Sequence, residues 1–406
     1  MACRACSNKD LKLFLSLGKT PLANNFLTKA QLSEPESRFP LELYFCENCK
    51  LVQLGHVVPP KVLFENYVYV TSTTNTFKTH FLNFATELVN DFGLNNKSLV
   101  VDIGSNDGLL LKGFQQFGVQ VIGVEPAGNI AAIAEKDGVE TINDFFNDGA
   151  VHQIIEKKGK ADAVTANNVF AHINDIAGLV RNLKLLLKDE GIFVIEIQYF
   201  GDTIEKMTFD NIYHEHLSYF TLTSLQNFFK LHEMEIFKVA RVDSHGGSLR
   251  VFVQRAGSRQ AKDKSVAGLL AYEAKLGINN FELCQKFAEK VHNAKTKFVA
   301  YVKTIKESGN TICGYGAPAK ANTLMNFCEI GHEYINYVVD DSPLKQNLFM
   351  PGTHIPVVSS KILDEKQPNY IIIFAWNFAD EILKKTQKYA ERGVKFMVPL
   401  PEPRIV

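Results

Sequence analysis

From Ser98 to Phe200 the chain alternates apolar runs with amphipathic ones, and this alternation limits the fold more than any other feature. LVVDIG, VQVIGVEP, ADAVTANNVF and GIFVIEIQYF read as buried strands. Between them GLLLKGFQQFG, NIAAIAEKDG and DIAGLVRNLKLLLKDEG read as helices ending near Gly or Asp-Glu-Gly. Strand and helix in turn imply a parallel sheet covered on both faces, so the class is α/β. Two further apolar runs, MEIFKVARV and SLRVFVQRA, have only Asp243–Gly247 between them, which suits an antiparallel pair at the sheet's end. A second α/β block opens at NTICGYGAPAKANTLMNF and runs through YINYVVDDSP and NYIIIFAWNF to VKFMVPLP. Before the first block, residues 1 to about 60 are loop-rich, punctuated by Gly18, Pro21 and Pro40, and Asn75–Phe92 reads as a helix. The organisation is a cysteine-bearing domain at 1–70, an α/β domain at 71–258, a helical connector at 259–308 and a C-terminal α/β domain at 309–406.

The turn after the first strand is Asp102-Ile103-Gly104-Ser105-Asn106-Asp107-Gly108. Glycines let a backbone approach a ligand closely, and open α/β sheets bind ligands outside the carboxyl ends of their strands. The second strand ends at Glu125, about 20 residues on, where an acid can accept from both hydroxyls of a ribose. A dinucleotide site would want Gly-x-Gly-x-x-Gly, whereas this turn has only Gly104 and Gly108, with Asp102 and Asp107 where a pyrophosphate would sit. VVDIGSNDG…VIGVEP resembles the class I methyltransferase fingerprint. That resemblance implies a Rossmann-like domain that binds S-adenosylmethionine through Asp102, Gly104, Asn106, Gly108 and Glu125. Asp144 and Phe145, after the short strand VETIN, can hold the adenine, and Asn167 and His172 can line the methionine end; each reads equally well as a cap or core residue.

Four of the seven cysteines form two Cys-x-x-Cys pairs, Cys3 with Cys6 and Cys46 with Cys49. This is the spacing of a structural Cys₄ zinc site, with no position left open for water. The alternative is two unrelated pairs of reduced thiols. Cys284, Cys313 and Cys328 stand among apolar neighbours and read as core.

Beyond the strand GIFVIEIQYF lies Phe209-Asp210-Asn211-Ile212-Tyr213-His214-Glu215-His216-Leu217-Ser218-Tyr219-Phe220, which gathers two imidazoles, a carboxylate and two phenols. Imidazole titrates near neutrality and is the usual proton acceptor. A His-x-His metal site and a satisfied buried loop are the competing readings. FDNIYHEHLSYF, SHGGSLRVF and CGYGAPAKANTLMNF, with CRAC…CENC, resemble the zinc-containing C-methyltransferases of nucleotide-linked 4-keto-6-deoxy sugars over nearly the whole chain. The resemblance implies a zinc-binding domain, a methyltransferase domain and a Rossmann-like C-terminal domain. It implies His216 as the base that generates an enolate, with Glu215 orienting it and Tyr213 donating to the enolate or a sugar oxygen. The tyrosine of FENYVY that the family places over cofactor and sugar falls on Tyr67, with Tyr69 the other candidate. His245, Ser248 and Arg250 are expected to face the sugar or diphosphate. The turn holding Gly316, with Lys320 at the start of the next helix, offers an anion site, or else is the remnant of one in a structural lid.

Lys plus Arg equals Asp plus Glu at 44 each, so the basic surplus of a duplex-binding protein is missing and nucleic acid is not an expected partner. No signal segment or membrane span is expected, and cytoplasm is the default compartment. The first reading is thus a sugar C-methyltransferase. The others are an O- or N-methyltransferase on another small metabolite and a non-catalytic zinc-ribbon binding protein with a vestigial methyltransferase fold. Oligomeric state, sugar and methylated carbon are not legible.

Overall fold

Residues 11–54, which their glycine and prolines mark as loops, form a sheet instead. β1 (Leu11–Thr20), β2 (Phe39–Cys46) and β3 (Val52–Leu54) run antiparallel. Leu15, Leu17, Leu41 and Leu43 are buried in a core shared with the C-terminal part of the chain. Register shifts between Leu13 and Leu15 and between Ser16 and Lys19 break the period of two that would mark β1 in the sequence. The computed structural model describes residues 1–64, 71–73, 75–244 and 246–406, so Tyr67, Tyr69 and His245 lie outside the described residues.

The central sheet holds β4 (Leu99–Ile103), β5 (Gln120–Val124), β6 (Thr141–Ile142), β7 (Ala161–Asn167) and β8 (Leu187–Gln198), all parallel. β9 (Ser218–Tyr219) leaves to close the N-terminal sheet beside β3. β10 (Met234–Val242) and β11 (Ser248–Arg255) return antiparallel, giving the order β10-β11-β8-β7-β4-β5-β6. The order reverses between β4 and β7, the place where an open sheet leaves a ligand crevice.

Two helices differ from the sequence reading. Ile176–Leu186 stops before Asp-Glu-Gly because Leu187 pairs with Ala161 and starts β8. Asp148–Lys158 had no expectation attached, because only Ala150, Val151 and Ile154 of its residues are buried. It is set by a local signal, the Asn147 side chain accepting from the Ala150 N–H at 2.9 Å. Phe170, Phe220 and Phe229 pack with ring centroids 5.3 and 5.9 Å from Phe170. Burying a Phe side chain stabilises by roughly 1.5–3 kcal/mol, so this cluster anchors the segment that Phe220 ends.

Helices Lys264–Leu276 and Phe281–Glu307 lead to the last sheet. The longer one buries Phe287, Val291, Phe298 and Val302 in the core it shares with β1 and β2. β12 (Ile312–Tyr315), β13 (Val338–Val339), β14 (Val357–Val358), β15 (Tyr370–Ile373), β16 (Lys395–Val398) and β17 (Arg404–Ile405) follow, in the order β14-β13-β12-β15-β16-β17. Only β17 is antiparallel to its neighbour. Cys284, Cys313 and Cys328 are buried, and burial pushes each thiol up to about 12, the state of inert core cysteines. No helix among the described residues is long and apolar enough to cross a membrane.

Candidate active site

A cavity of about 950 Å³ opens at the carboxyl ends of β4, β5, β7 and β8. Gly104 and Asn106 line it with φ of +65° and +50°. At Gly104 a Cβ would collide with Val169, which is why the turn needs glycine there. Glu125 also lines it and accepts from the Asn106 N–H at 3.0 Å and the Ala127 N–H at 2.9 Å. Burial raises its carboxyl against those two bonds. Phe145, Asn167 and His172 line the cavity as well, with Phe146 and Asn168 beside them.

Other expected residues stand back from it. Asp102 lies behind the lining, where it accepts from Thr165 Oγ1 at 2.6 Å, and burial pushes its carboxyl up to about 7. Gly108, with φ of +73°, starts the helix Leu109–Gln115. Asp144 is exposed and accepts from the Phe145 N–H and Asn147 Nδ2. Gly316 turns the chain at φ of +86° against Ala375, while Pro318, Ala319 and Lys320 reach the cavity.

Tyr213 and His216 enter the cavity from the loop before β9. His216 Nδ1 lies 2.7 Å from the Asn211 carbonyl oxygen. A carbonyl only accepts, so Nδ1 donates to it, and in a neutral imidazole of this tautomer Nε2 is the accepting nitrogen. His172 stacks on this ring at 5.0 Å between centroids and Tyr213 lies at 4.0 Å. Glu215 was expected to orient the imidazole; the Asn211 carbonyl holds Nδ1, and Glu215 accepts from Asn24 Nδ2 at 2.6 Å. Lys320 Nζ is buried with no hydrogen-bond partner among the described residues, 5.2 Å from the centroid of the Trp376 ring. Burial lowers its ammonium, and Asp210 nearby counters that in part.

Three family models match consecutive parts of the chain: "Putative zinc binding domain" over residues 3–64, "Methyltransferase domain" over 77–238 and "C-methyltransferase C-terminal domain" over 243–401. C-methyltransferase NovU of Streptomyces niveus is 36% identical over 404 residues, covering 100% of this chain and 96% of that protein. The chain belongs to the C-methyltransferase family. A ubiquinone biosynthesis O-methyltransferase of Rhodopseudomonas palustris is 33% identical over 115 residues, which are 26% of this C-methyltransferase and 44% of that enzyme. Among solved structures, a magnesium protoporphyrin IX methyltransferase of Synechocystis with bound SAH is similar at TM-score 0.36 and 15% identity, covering 44% of this chain and 83% of that one.

The chain carries a methyltransferase domain for S-adenosylmethionine and a zinc-binding domain with a four-cysteine cluster, and its residues suit both groups. Asn167 Oδ1 and Asn168 Oδ1, in residues that line the cavity, are buried without a partner among the described residues. With the Glu125 carboxylate they form a set of acceptors that suits a cationic ligand bearing hydroxyls. The four thiols of Cys3, Cys6, Cys46 and Cys49 have sulfurs within 4.8 Å of one another, two pairs at 3.4 and 3.6 Å. Tetrahedral zinc with Zn–S of about 2.3 Å requires S–S edges of about 3.8 Å. Cys49 draws the Cys3 thiol down and is itself pushed up, because neighbouring sulfurs cannot all ionise without a cation.

Ser248 and Arg250 are not brought to the cavity. Ser248 is fully buried and its hydroxyl donates to the Ser244 carbonyl. Arg250 is directly opposite Glu196 across β11 and β8 and donates to it at 2.9 Å, to Glu87 at 2.6 Å, and covers the Phe84 ring. Burial would raise the Glu196 carboxyl, but His80 at 2.8 Å, Arg250 and Ser244 outweigh it and hold it at about 2. Since the folded value lies below the unfolded one, this stability is present above the unfolded value and is lost as pH falls toward the folded one. In urea denaturation at pH 7, Glu196→Gln is expected to cost about 3–5 kcal/mol, the range for breaking a buried ion pair. A cost under about 1 kcal/mol, as for an exposed pair, would contradict it.

Asn24, Asn211 and Lys345 are functional candidates that the sequence reading missed. Asn24 and Lys345 line the cavity from opposite ends of the chain, and Asn211 acts through its backbone, so no spacing or side-chain motif marks them.

Proposed function

We propose that this C-methyltransferase places a methyl group on the carbon beside the ketone of a nucleoside-diphosphate 4-keto-6-deoxy sugar, dTDP-linked, in deoxysugar, polysaccharide or natural-product biosynthesis. The observation that carries this reading is the His216 ring, set with Nδ1–H on the Asn211 carbonyl and its face in the cavity against Tyr213 and His172. Methylating oxygen or nitrogen needs no strong base beside a ketone. Methylating carbon does, because that carbon is not nucleophilic until it loses a proton.

In this reading His216 Nε2 takes the proton from the carbon next to the ketone, and the C–H electron pair passes into an enolate. Tyr213 supports the developing oxyanion or a neighbouring sugar oxygen with its hydroxyl. When bound, S-adenosylmethionine supplies an electrophilic methyl group whose S–C electron pair departs with the sulfur. Glu125 accepts from the ribose, Phe145 packs on the adenine, and Asn167 and His172 hold the methionine end. Lys320, buried in the cavity lining and without a hydrogen-bond partner among the described residues, meets the diphosphate. Glu215, held by Asn24, adds a fixed negative charge beside the base.

The test is to incubate the enzyme with S-adenosylmethionine and a thymidine-diphosphate 4-keto-6-deoxy sugar and read product mass. A gain of one CH₂ that fragmentation places on a ring carbon supports the reading. No gain with any such sugar, while S-adenosylhomocysteine still binds, overturns the substrate.

A further inference from the structure

The zinc-binding domain carries one side chain that the reaction above does not use. Arg4 stands between Cys3 and Cys6, so the thiolates that grip the metal also place its backbone. Its N–H donates to Gln53 Oε1 at 2.9 Å, and the buried Gln53 amide returns a bond to the Ala2 carbonyl at 3.2 Å. From this base the guanidinium reaches three separate segments. Nε donates to Asn174 Oδ1 at 3.0 Å, one terminal nitrogen to the Leu217 carbonyl at 2.9 Å, and the other to the Leu54 carbonyl at 2.9 Å.

Two of those acceptors bear on the site: Asn174 lines the cavity, and Leu217 directly follows the lining residue His216. The Leu217 carbonyl also accepts from the Leu54 N–H at 2.9 Å, and the Leu217 N–H donates to Ala171, next to His172, at 2.9 Å. A second contact from the same domain reaches the neighbouring residue, where Asn24 donates to Glu215. A planar guanidinium can hold three acceptors in fixed directions, whereas an ammonium on a flexible stem cannot.

We infer that Arg4 is a positioning residue for methyl transfer: it ties the zinc knuckle to the backbone behind His216, so the N-terminal domain sets where the base stands. The inference rests on the reading of His216 as the base. Misplacing a reacting group by 1 Å can cost about 10²-fold in rate.

The experiment compares Arg4→Lys, Arg4→Ala and the unaltered chain, each with zinc content measured. Arg4→Lys is expected to keep its zinc and its KM for S-adenosylmethionine within about twofold while kcat falls about 10–100-fold, the pattern of an interaction that acts on the transition state. Added guanidinium at non-denaturing concentration is expected to restore part of the kcat of Arg4→Ala but none in Arg4→Lys. Hydrogen exchange of the peptide 209–220 is expected to quicken in both variants. Unchanged kcat and unchanged exchange with full zinc would overturn the inference, and so would loss of kcat only in step with loss of zinc. If the unaltered chain methylates no keto sugar, the substrate reading fails, while exchange at 209–220 still decides the role of Arg4.

Discussion

His216→Ala is expected to lower kcat by about 10³-fold, within the 10²–10⁴ range for a positioned general base. The ring is buried, is held through Nδ1 on the Asn211 carbonyl, and packs against the rings of His172 and Tyr213, so no neighbour can move into its place without unpacking the loop. Binding of S-adenosylhomocysteine should stay within about twofold, because Glu125, Asn167 and Asn168 lie at the ends of β5 and β7, and of the residues suited to it only His172 packs on the altered ring. Deuterium from D₂O should wash into the carbon beside the ketone with the unaltered enzyme and not with the variant. Retained exchange together with retained turnover would assign the proton to another group. A loss of S-adenosylhomocysteine binding in parallel with kcat would mean that the loop had collapsed.

Removing one zinc ligand is expected to have the largest effect on stability. Structural zinc in small fingers binds with an apparent 10–16 kcal/mol, on the order of the whole stability of a domain. Cys46 is fully buried at the end of β2, and its carbonyl and N–H bond to Lys50 and Leu51. Cys46→Ser should therefore lose the ion and lower the melting temperature by about 10 °C or more, on a scale of about 2–4 °C per kcal/mol. The damage should not stop at the knuckle. β3 pairs with β9, and Leu15, Leu43 and Leu54 share a core with Phe287 and Met325 of later elements. Differential scanning calorimetry with parallel zinc assay checks this. Full zinc content, or an unchanged melting temperature after its loss, would show that the domain holds itself together without the ion.

Much of the central domain was legible because its signals are local. β4 and β5 are Val- and Ile-rich runs, the turn between them needs glycine at 104, and Glu125 is held by the N–H groups of Asn106 and Ala127 in that same βα unit. The helix Asn75–Phe92 was likewise marked by its own periodicity. The Cys₄ set was readable as two pairs because each pair sits in one tight turn, though only the fold brings the four sulfurs within reach of one ion.

Arg250 shows where such reading stops. A charged residue on a strand after a glycine pair looks like a ligand contact, but strand register sets it opposite Glu196, 54 residues earlier, and the pair is neutralised in the core. The N-terminal sheet failed for a related reason: its bulges hide the alternation in β1, and its last strand comes from residues 218–219. The sequence by itself determined the α/β architecture, the glycine turn after β4, the two Cys-x-x-Cys pairs and the residue types of the segment 209–220, since these depend on neighbours within a few turns of chain. Only the tertiary structure decided that Asn24, His216 and Lys320 wall one cavity, that the Asn211 carbonyl meets His216 Nδ1, and that Arg4 bonds the Leu217 carbonyl next to it. The meetings of Asn24 and Arg4 with the segment around His216 join residues about 200 positions apart, and they are set by how shared cores pack rather than by any local preference of the chain.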